Sequence, residues 1–174
     1  MVLDSATQET LIAAATQAVE NAQLLPNKRH LVGAACLTSD GKIIPGVNVA
    51  HYTGGPCAEP VAIGAAAALG YLPHRLTHMV AVGHRGRGVV NPCGRCRQQL
   101  LDLSPDIHVL VRDGDEVKEV SVAELLPLPY IPYDSIGDPG AEVKSGGTIN
   151  ALRGAPAASG HSGCSSTDIG SMLR

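Results

Sequence analysis

Tryptophan and phenylalanine are absent from this chain, and Tyr52, Tyr71, Tyr130 and Tyr133 are its whole aromatic content. Single-stranded nucleic acid is held largely by bases stacked on aromatic rings, so a chain this poor in them is not built as a strand-binding platform. A basic surplus is missing too: 13 Lys and Arg stand against 16 Asp and Glu, a net charge of −3. Polyanion binders concentrate Lys and Arg on one face. The basic cluster here, His84, Arg85 and Arg87 followed by Arg95 and Arg97, suffices only for a small anion. Nucleic acid is therefore not an expected partner. No apolar run reaches membrane-spanning length, and the opening MVLDSATQET has neither the charged start nor the apolar stretch of a signal peptide. No membrane partner is expected, and the cytoplasm is the expected location.

What the chain does have is 174 residues with 44% hydrophobic content, enough for one domain with a core but hardly for two. Without large rings, that core must be assembled from Ala, Val, Leu and Ile. Ser5-Ala-Thr-Gln8 resembles a capping box, and Leu11, Ile12, Ala15, Val19 and Ala22 follow at helical spacing, which predicts a helix from about Thr7 to Gln23. LVGAACLTSDGKIIPGVNVA reads as a hairpin: a strand from Leu31 to Thr38, a Ser-Asp-Gly turn and a strand from Lys42 to Val49. A helix from about Ala58 to Leu69, ended by Gly70 and Pro73, comes next. THMVAVGH predicts a buried strand, Arg95 to Leu103 a helix stopped by Pro105, and IHVLVRD another strand. Glu116 to Val120 suggests a last strand, and Ser121-Val-Ala-Glu124 is a capping box opening the short helix AELL.

This order of elements predicts an α/β fold of three layers, α/β/α, around a mixed sheet of about five strands. Beyond Tyr133 the composition turns to Gly, Ser, Ala and Pro without a sustained period. The expected organisation is a catalytic domain over residues 1–133 and a disordered tail over 134–174.

Five cysteines in a chain without a secretion signal point to thiolate chemistry more than to a disulfide framework. In PCGRC, Cys93 and Cys96 stand three apart at a helix start, about 60° apart in projection, so both thiolates can reach one ion. Unpaired N–H groups at a helix N-terminus favour the thiolate as well. Cys57, also just before a helix, supplies a third ligand, and three protein ligands with one open position are what a catalytic zinc takes. Glu59 is two residues on, nearly opposite Cys57 on a regular helix, so the pair can serve one centre only if Cys57 is the cap and the metal lies off the helix end. A carboxylate beside soft thiolates is better suited to proton transfer than to a fourth bond.

With TGGPCAE followed by NPCGRCRQQLLDLSP, the chain resembles the zinc-dependent cytidine deaminase superfamily over roughly residues 7–130. VGAACLTSDGKIIPGVNV and VAELLP belong to the same resemblance. Within the superfamily, GVNV, HYTGGPCAE and PCGRCRQQLLDL look most like the blasticidin-S deaminases, which act on an aminoacylated cytosine nucleoside. The resemblance implies zinc on Cys57, Cys93 and Cys96, with water activated there for attack on C4 of the cytosine ring. It implies that Glu59 protonates N3 and then passes a proton to the departing amine, leaving ammonia and a uracil-type product. A core of three thiolates is net negative, and the helix N-termini with Arg95 or Arg97 are the candidates to offset it.

Expected substrate contacts are Asn48, Ala58 and Arg87. Family members of this size resemble F-x-V-G-A on the first strand and N-x-E after the second; here His30 stands where the ring falls, Asn48 is kept, and Ala50 replaces the acid. A modified sugar, with a carboxylate that Arg87 could meet, is the first expectation and cytidine or deoxycytidine the second. The resemblance also implies a homotetramer whose sites borrow residues across interfaces, and the small residues from Ala62 to Ala68 suit close helix packing. Two other readings stand beside these: a non-catalytic zinc-binding protein with Cys36 or His51 as fourth ligand, and nucleic-acid editing, disfavoured by charge and by the missing rings. Cys36 is expected in the core, and Cys164 as a bystander.

Overall fold

The computed structural model describes residues 3–22, 31–71 and 75–131. In the first helix, α1 (Ser5–Asn21), Leu11, Ala15 and Val19 recur every fourth residue and form one buried stripe. Its cap is Asp4 rather than Ser5: the Asp4 carboxylate accepts the Thr7 N–H at 2.9 Å and the Thr7 hydroxyl at 2.7 Å. A carboxylate one residue upstream satisfies the orphan donors first, so the helix opens earlier than the Ser5 capping box implied. Its expected end at Gln23 lies outside the described residues, as do His30, Pro73, Tyr133, the segment 134–174 and with it Cys164.

After α1 come β1 (Val32–Thr38), β2 (Ile43–Val47), α2 (Ala58–Ala68), β3 (Leu76–Gly83), β4 (Gly88–Val89), α3 (Gly94–Leu103), β5 (His108–Asp113), β6 (Glu116–Ser121) and α4 (Val122–Leu125). The sheet order is β2-β1-β3-β5-β6, with β4 paired to the end of β3. Every pair is antiparallel except β3 with β5, which makes the sheet mixed as expected. It has six strands rather than about five. The extra one, β4, is two residues long, too short for an alternating pattern to reveal, and it forms after Arg85 and Gly86, both at positive φ, turn the chain back on β3.

Side chains alternate across the sheet and so build two cores. Ala34 and Cys36 of β1, Met79 and Ala81 of β3, and Val109 and Val111 of β5 face Ala62 of α2 and Leu100 of α3. Their neighbours Ala35, Leu37, Val80, Val82 and Leu110 face Leu11 and Ala15 of α1. This is the three-layer α/β/α arrangement. Small residues set the spacing: a Cβ on Gly46 would run into the backbone of Ala62 and Ala58, so only glycine lets α2 lie this close to β2. Cys36 is a core residue as expected, fully buried, with its thiol against the Ile44 carbonyl at 3.5 Å.

The second strand stops at Val47, two residues before its expected end. There Asn48 takes over the edge of β1: its Oδ1 accepts the Val32 N–H at 2.8 Å, and its own N–H donates to the Val32 carbonyl at 3.0 Å. Val49 N–H then bonds the Pro56 carbonyl at 3.1 Å, folding residues 49–56 into a loop at the start of α2. At the far end of the sheet, Ser121 and Glu124 form the reciprocal capping box that opens α4.

Candidate active site

The helices α2 and α3 begin side by side, and each is capped by a cysteine. Cys57 (φ −65°, ψ 171°) and Cys93 (φ −70°, ψ 170°) hold the extended N-cap conformation, which sets both side chains at the helix ends. Both sulfurs are therefore available to a shared centre beyond the helix ends. The Sγ of Cys57 lies 3.9 Å from that of Cys93, which lies 3.5 Å from that of Cys96, one turn into α3. All three lie within 4.8 Å of one another. A tetrahedral zinc with Zn–S bonds near 2.3 Å holds its sulfurs about 3.8 Å apart, close to the two separations from Cys93, so the donor set suits that ion. Among the described residues no fourth His, Cys, Asp or Glu joins the group. Neither earlier candidate for a structural fourth ligand does so: Cys36 is in the core, and His51 turns its Nδ1 to the Thr53 hydroxyl at 2.6 Å.

The turn before α3 is held by Asn91, whose side chain spans to β5: Nδ2 donates to the Arg112 carbonyl at 3.0 Å and Oδ1 accepts the Arg112 N–H at 2.7 Å. This fixes the approach to Cys93 against the end of β5. Across the gap, a Cβ on Gly55 would strike the Val49 carbonyl, so the loop that presents Cys57 can close only with glycine there.

Electrostatically the cluster is crowded with acids. Burial raises the Cys96 thiol far above its ordinary pKa, and the neighbouring Glu59 charge raises it further. For Cys93, burial pushes upward too, but N–H donors at Cys96 and Arg95 and the adjacent thiols outweigh it and bring the pKa below its ordinary value. A divalent cation relieves this crowding. Of the two arginines considered as counter-charges, Arg95 takes the part: its Nη2 reaches Cys57 Sγ at 3.5 Å and the Gly55 carbonyl at 3.3 Å. Arg97 instead binds the Pro92 carbonyl at 2.9 Å and the Leu125 carbonyl at 3.1 Å, joining α3 to α4.

Glu59 is the second residue of α2 and only 4% exposed. It lines, with Cys57, Ala58 and Cys93, a cavity of about 580 Å³, a volume in the range of small-molecule sites. Pro60 follows in the first turn, where its missing N–H has no helical partner to lose. Asn48 lines the same cavity, and with Oδ1 engaged by Val32 it presents its NH2 end. Ala50 forms part of the wall. Arg87 does not line this cavity; it lies exposed in the turn between β3 and β4. The structure thus brings Glu59, the cysteines, Asn48 and Ala58 together and leaves Arg87 apart. It adds Tyr52, 94% exposed at the cavity, beside His51 with ring centroids 4.4 Å apart. The adjacency of HYT to GGPCAE was the available signal for that ring.

Comparison with known proteins agrees with this geometry. Residues 5–111 match the family described as the cytidine and deoxycytidylate deaminase zinc-binding region. A blasticidin-S deaminase of Bacillus cereus is 36% identical over 129 residues, covering 69% of this chain and 89% of that protein. A cytidine deaminase of Halalkalibacterium halodurans is 38% identical over 132 residues, covering 73% and 96%. Among solved structures, the cytidine deaminase of Mycobacterium tuberculosis superposes with a TM-score of 0.60 at 33% identity, covering 72% of this chain and 98% of that one. With two cysteine-capped helices meeting beneath a six-stranded mixed sheet, and a family match over residues 5–111, this chain belongs to the zinc-dependent cytidine and deoxycytidylate deaminase family.

Proposed function

We propose that the chain hydrolytically deaminates a free cytosine nucleoside with a modified sugar, blasticidin S or a compound like it, to the uracil form with release of ammonia. The observation that carries this reading is the burial of Glu59 in one cavity with two of the three clustered thiols. A purely structural metal site has no need of such an acid.

Cys57, Cys93 and Cys96 would hold zinc, which when bound would supply the Lewis acidity that makes water nucleophilic near neutral pH. Glu59 accepts the proton of the attacking water, delivers it to N3 of the ring, and carries the next one to the amine that leaves C4. Its burial keeps bulk water from exchanging those protons. In this reading the Ala58 N–H, at the first position of α2 and without a helical partner, holds the base. The NH2 of Asn48 donates to a sugar hydroxyl, and Tyr52 offers a ring at the entrance. Arg95 offsets part of the negative charge of the thiolates.

Ala50 favours the modified sugar: at the cavity wall it provides room where a carboxylate for plain ribose would stand. The runner-up is cytidine or deoxycytidine, as the comparable identity to a cytidine deaminase supports. In this proposal residues 1–133 are the catalytic domain, 134–174 a tail, and the enzyme a cytoplasmic homotetramer in which Arg87, outside its own chain's cavity, serves a neighbouring copy. Among the described residues no helix is long and apolar enough to cross a membrane.

An absorbance assay comparing blasticidin S, cytidine and deoxycytidine tests the substrate. A higher kcat/KM for blasticidin S is expected. Preference for cytidine or deoxycytidine establishes the salvage reading instead, and zinc-loaded protein inert toward all three leaves the non-catalytic one.

A further inference from the structure

On the face of the sheet that carries α1, His78, His108 and Glu119 converge from the adjacent strands β3, β5 and β6. They lie at the opening end of β3, whereas the thiol cavity is lined by Val32, which pairs with Gly83 at the other end. His78 shares its face with Val80 and Val82, which pack on α1, while Ala58 packs with Met79 and Ala81 on the opposite face. The deaminase reaction makes no use of this trio.

One ligand atom from each residue lies within 4.8 Å of the others. His78 sits opposite His108 in the β3–β5 register, with ring centroids 5.6 Å apart. The hydroxyl of Thr77 donates to the Leu37 carbonyl at 3.2 Å, so its oxygen receives the Nδ1–H of His78 at 3.1 Å. In a neutral ring this leaves the Nε2 lone pair facing Glu119 Oε1 at 3.3 Å. Two acceptors at that separation repel unless a cation stands between them. The other Glu119 oxygen is fixed by the Leu3 N–H at 2.9 Å.

Both groups are thus oriented from behind, in the way that outer partners orient metal ligands. Two donors on a tetrahedral zinc, each about 2.0–2.1 Å from it, stand about 3.3 Å apart. A proton on Nε2 would also satisfy the pair, but it gives His108 no part. The convergence of a third donor on the same point favours a metal.

We propose that His78, His108 and Glu119 form a second divalent-metal site, for zinc or a similar ion such as cobalt, with a structural role. Imidazole with carboxylate suits such ions. The ion would tie β3 to β5 and β6 and, through Leu3, to the approach of α1. His78 is fully enclosed, whereas His108 and Glu119 are half-buried, which gives the ion its path in.

The test uses the full chain with reduced thiols, stripped by a chelator, loaded with excess zinc and passed through gel filtration before metal analysis. Two zinc ions per chain are expected, falling to one in both His108→Gln and Glu119→Gln. With cobalt in place of zinc, the intense thiolate-to-cobalt absorption of the cysteine site should be unchanged in those variants. Two independent substitutions at half-buried positions guard against misfolding as the cause, and an unchanged thiolate band shows that the rest of the fold persists. Retention of only one zinc by the unsubstituted chain overturns the proposal and leaves a His–Glu ion pair. So does retention of the second ion in both variants. Neither result bears on the deaminase reading, which rests on the other cluster.

Discussion

Cys57 and Cys93 are 36 positions apart in the chain, yet each is the N-cap of a helix and their sulfurs meet at 3.9 Å. One arrangement therefore serves two ends: the N–H donors at the start of α3 favour the Cys93 thiolate, and the caps aim both sulfurs at a point beyond the helices. Cys93→Ala should remove this metal, lowering the zinc content by one per chain and abolishing ammonia release. Metal analysis alongside the absorbance assay checks both.

Glu59→Gln keeps the shape of the side chain and removes its ability to move protons. Its zinc content should match that of the unsubstituted chain, while kcat falls by about 10²–10⁴-fold, the usual contribution of a positioned acid/base group. A fully active Glu59→Gln enzyme would mean that the proton takes another route.

Asn48 has two ends with two tasks, and two substitutions separate them. Asn48→Asp retains the oxygen that accepts the Val32 N–H but loses the NH2 at the cavity. It should raise KM with little change in Tm. Asn48→Ala should raise KM and also cost about 1–3 kcal/mol, since the Val32 N–H is left without its acceptor. Equal Tm values for the two variants would show that the hydrogen bond to Val32 carries no stability.

Arg95 is exposed, and its contact with Cys57 is open to solvent. Arg95→Ala should therefore have a modest effect, about two- to fivefold in kcat/KM at low salt. Because one counter-charge is gone from an anionic centre, the acid limb of the rate profile should move to higher pH. Rate profiles at low and high salt measure this, with the difference between the two proteins shrinking as salt rises.

Burial pushes the Cys36 thiol up to about 11 from an ordinary 9.0. The unfolded chain therefore loses this proton first as pH rises. The stability associated with the neutral thiol is complete below pH 9.0 and is lost as pH climbs toward about 11. At about 1.4 kcal/mol per unit, the loss approaches roughly 2–3 kcal/mol. Urea midpoints at pH 8 and above pH 10 should show it, and Cys36→Ala, less stable at pH 8, should show a flatter dependence.

Much of the fold could be read from local pattern. The stripe Leu11, Ala15, Val19 expresses the helix period directly, the continuous apolar run from Ala34 to Leu37 reads as a strand buried on both faces, and the capping box at Ser121 marks its helix start. The choice of Asp4 over Ser5 as the first cap could not, because neighbouring polar residues compete for the same donors. Nor could β4, whose two residues pair only because a turn returns them to β3. At the site, the spacing of Cys57, Glu59, Cys93 and Cys96 was legible because helix starts impose their geometry over a few residues. The positions of Arg87 and Arg95 were not, since a long side chain's partner depends on what other segments bring near it.

By itself, then, the sequence determined the longer elements, the donor types and the metal chemistry, all of which follow from interactions within a few residues. Only the tertiary structure decided that Arg95 rather than Arg97 faces Cys57, that Asn48 divides its amide between β1 and the cavity, and that His78, His108 and Glu119 meet on the opposite face. Each of these depends on strand order and register, which place residues dozens of positions apart within a few ångströms. Local periodicity carries no record of that.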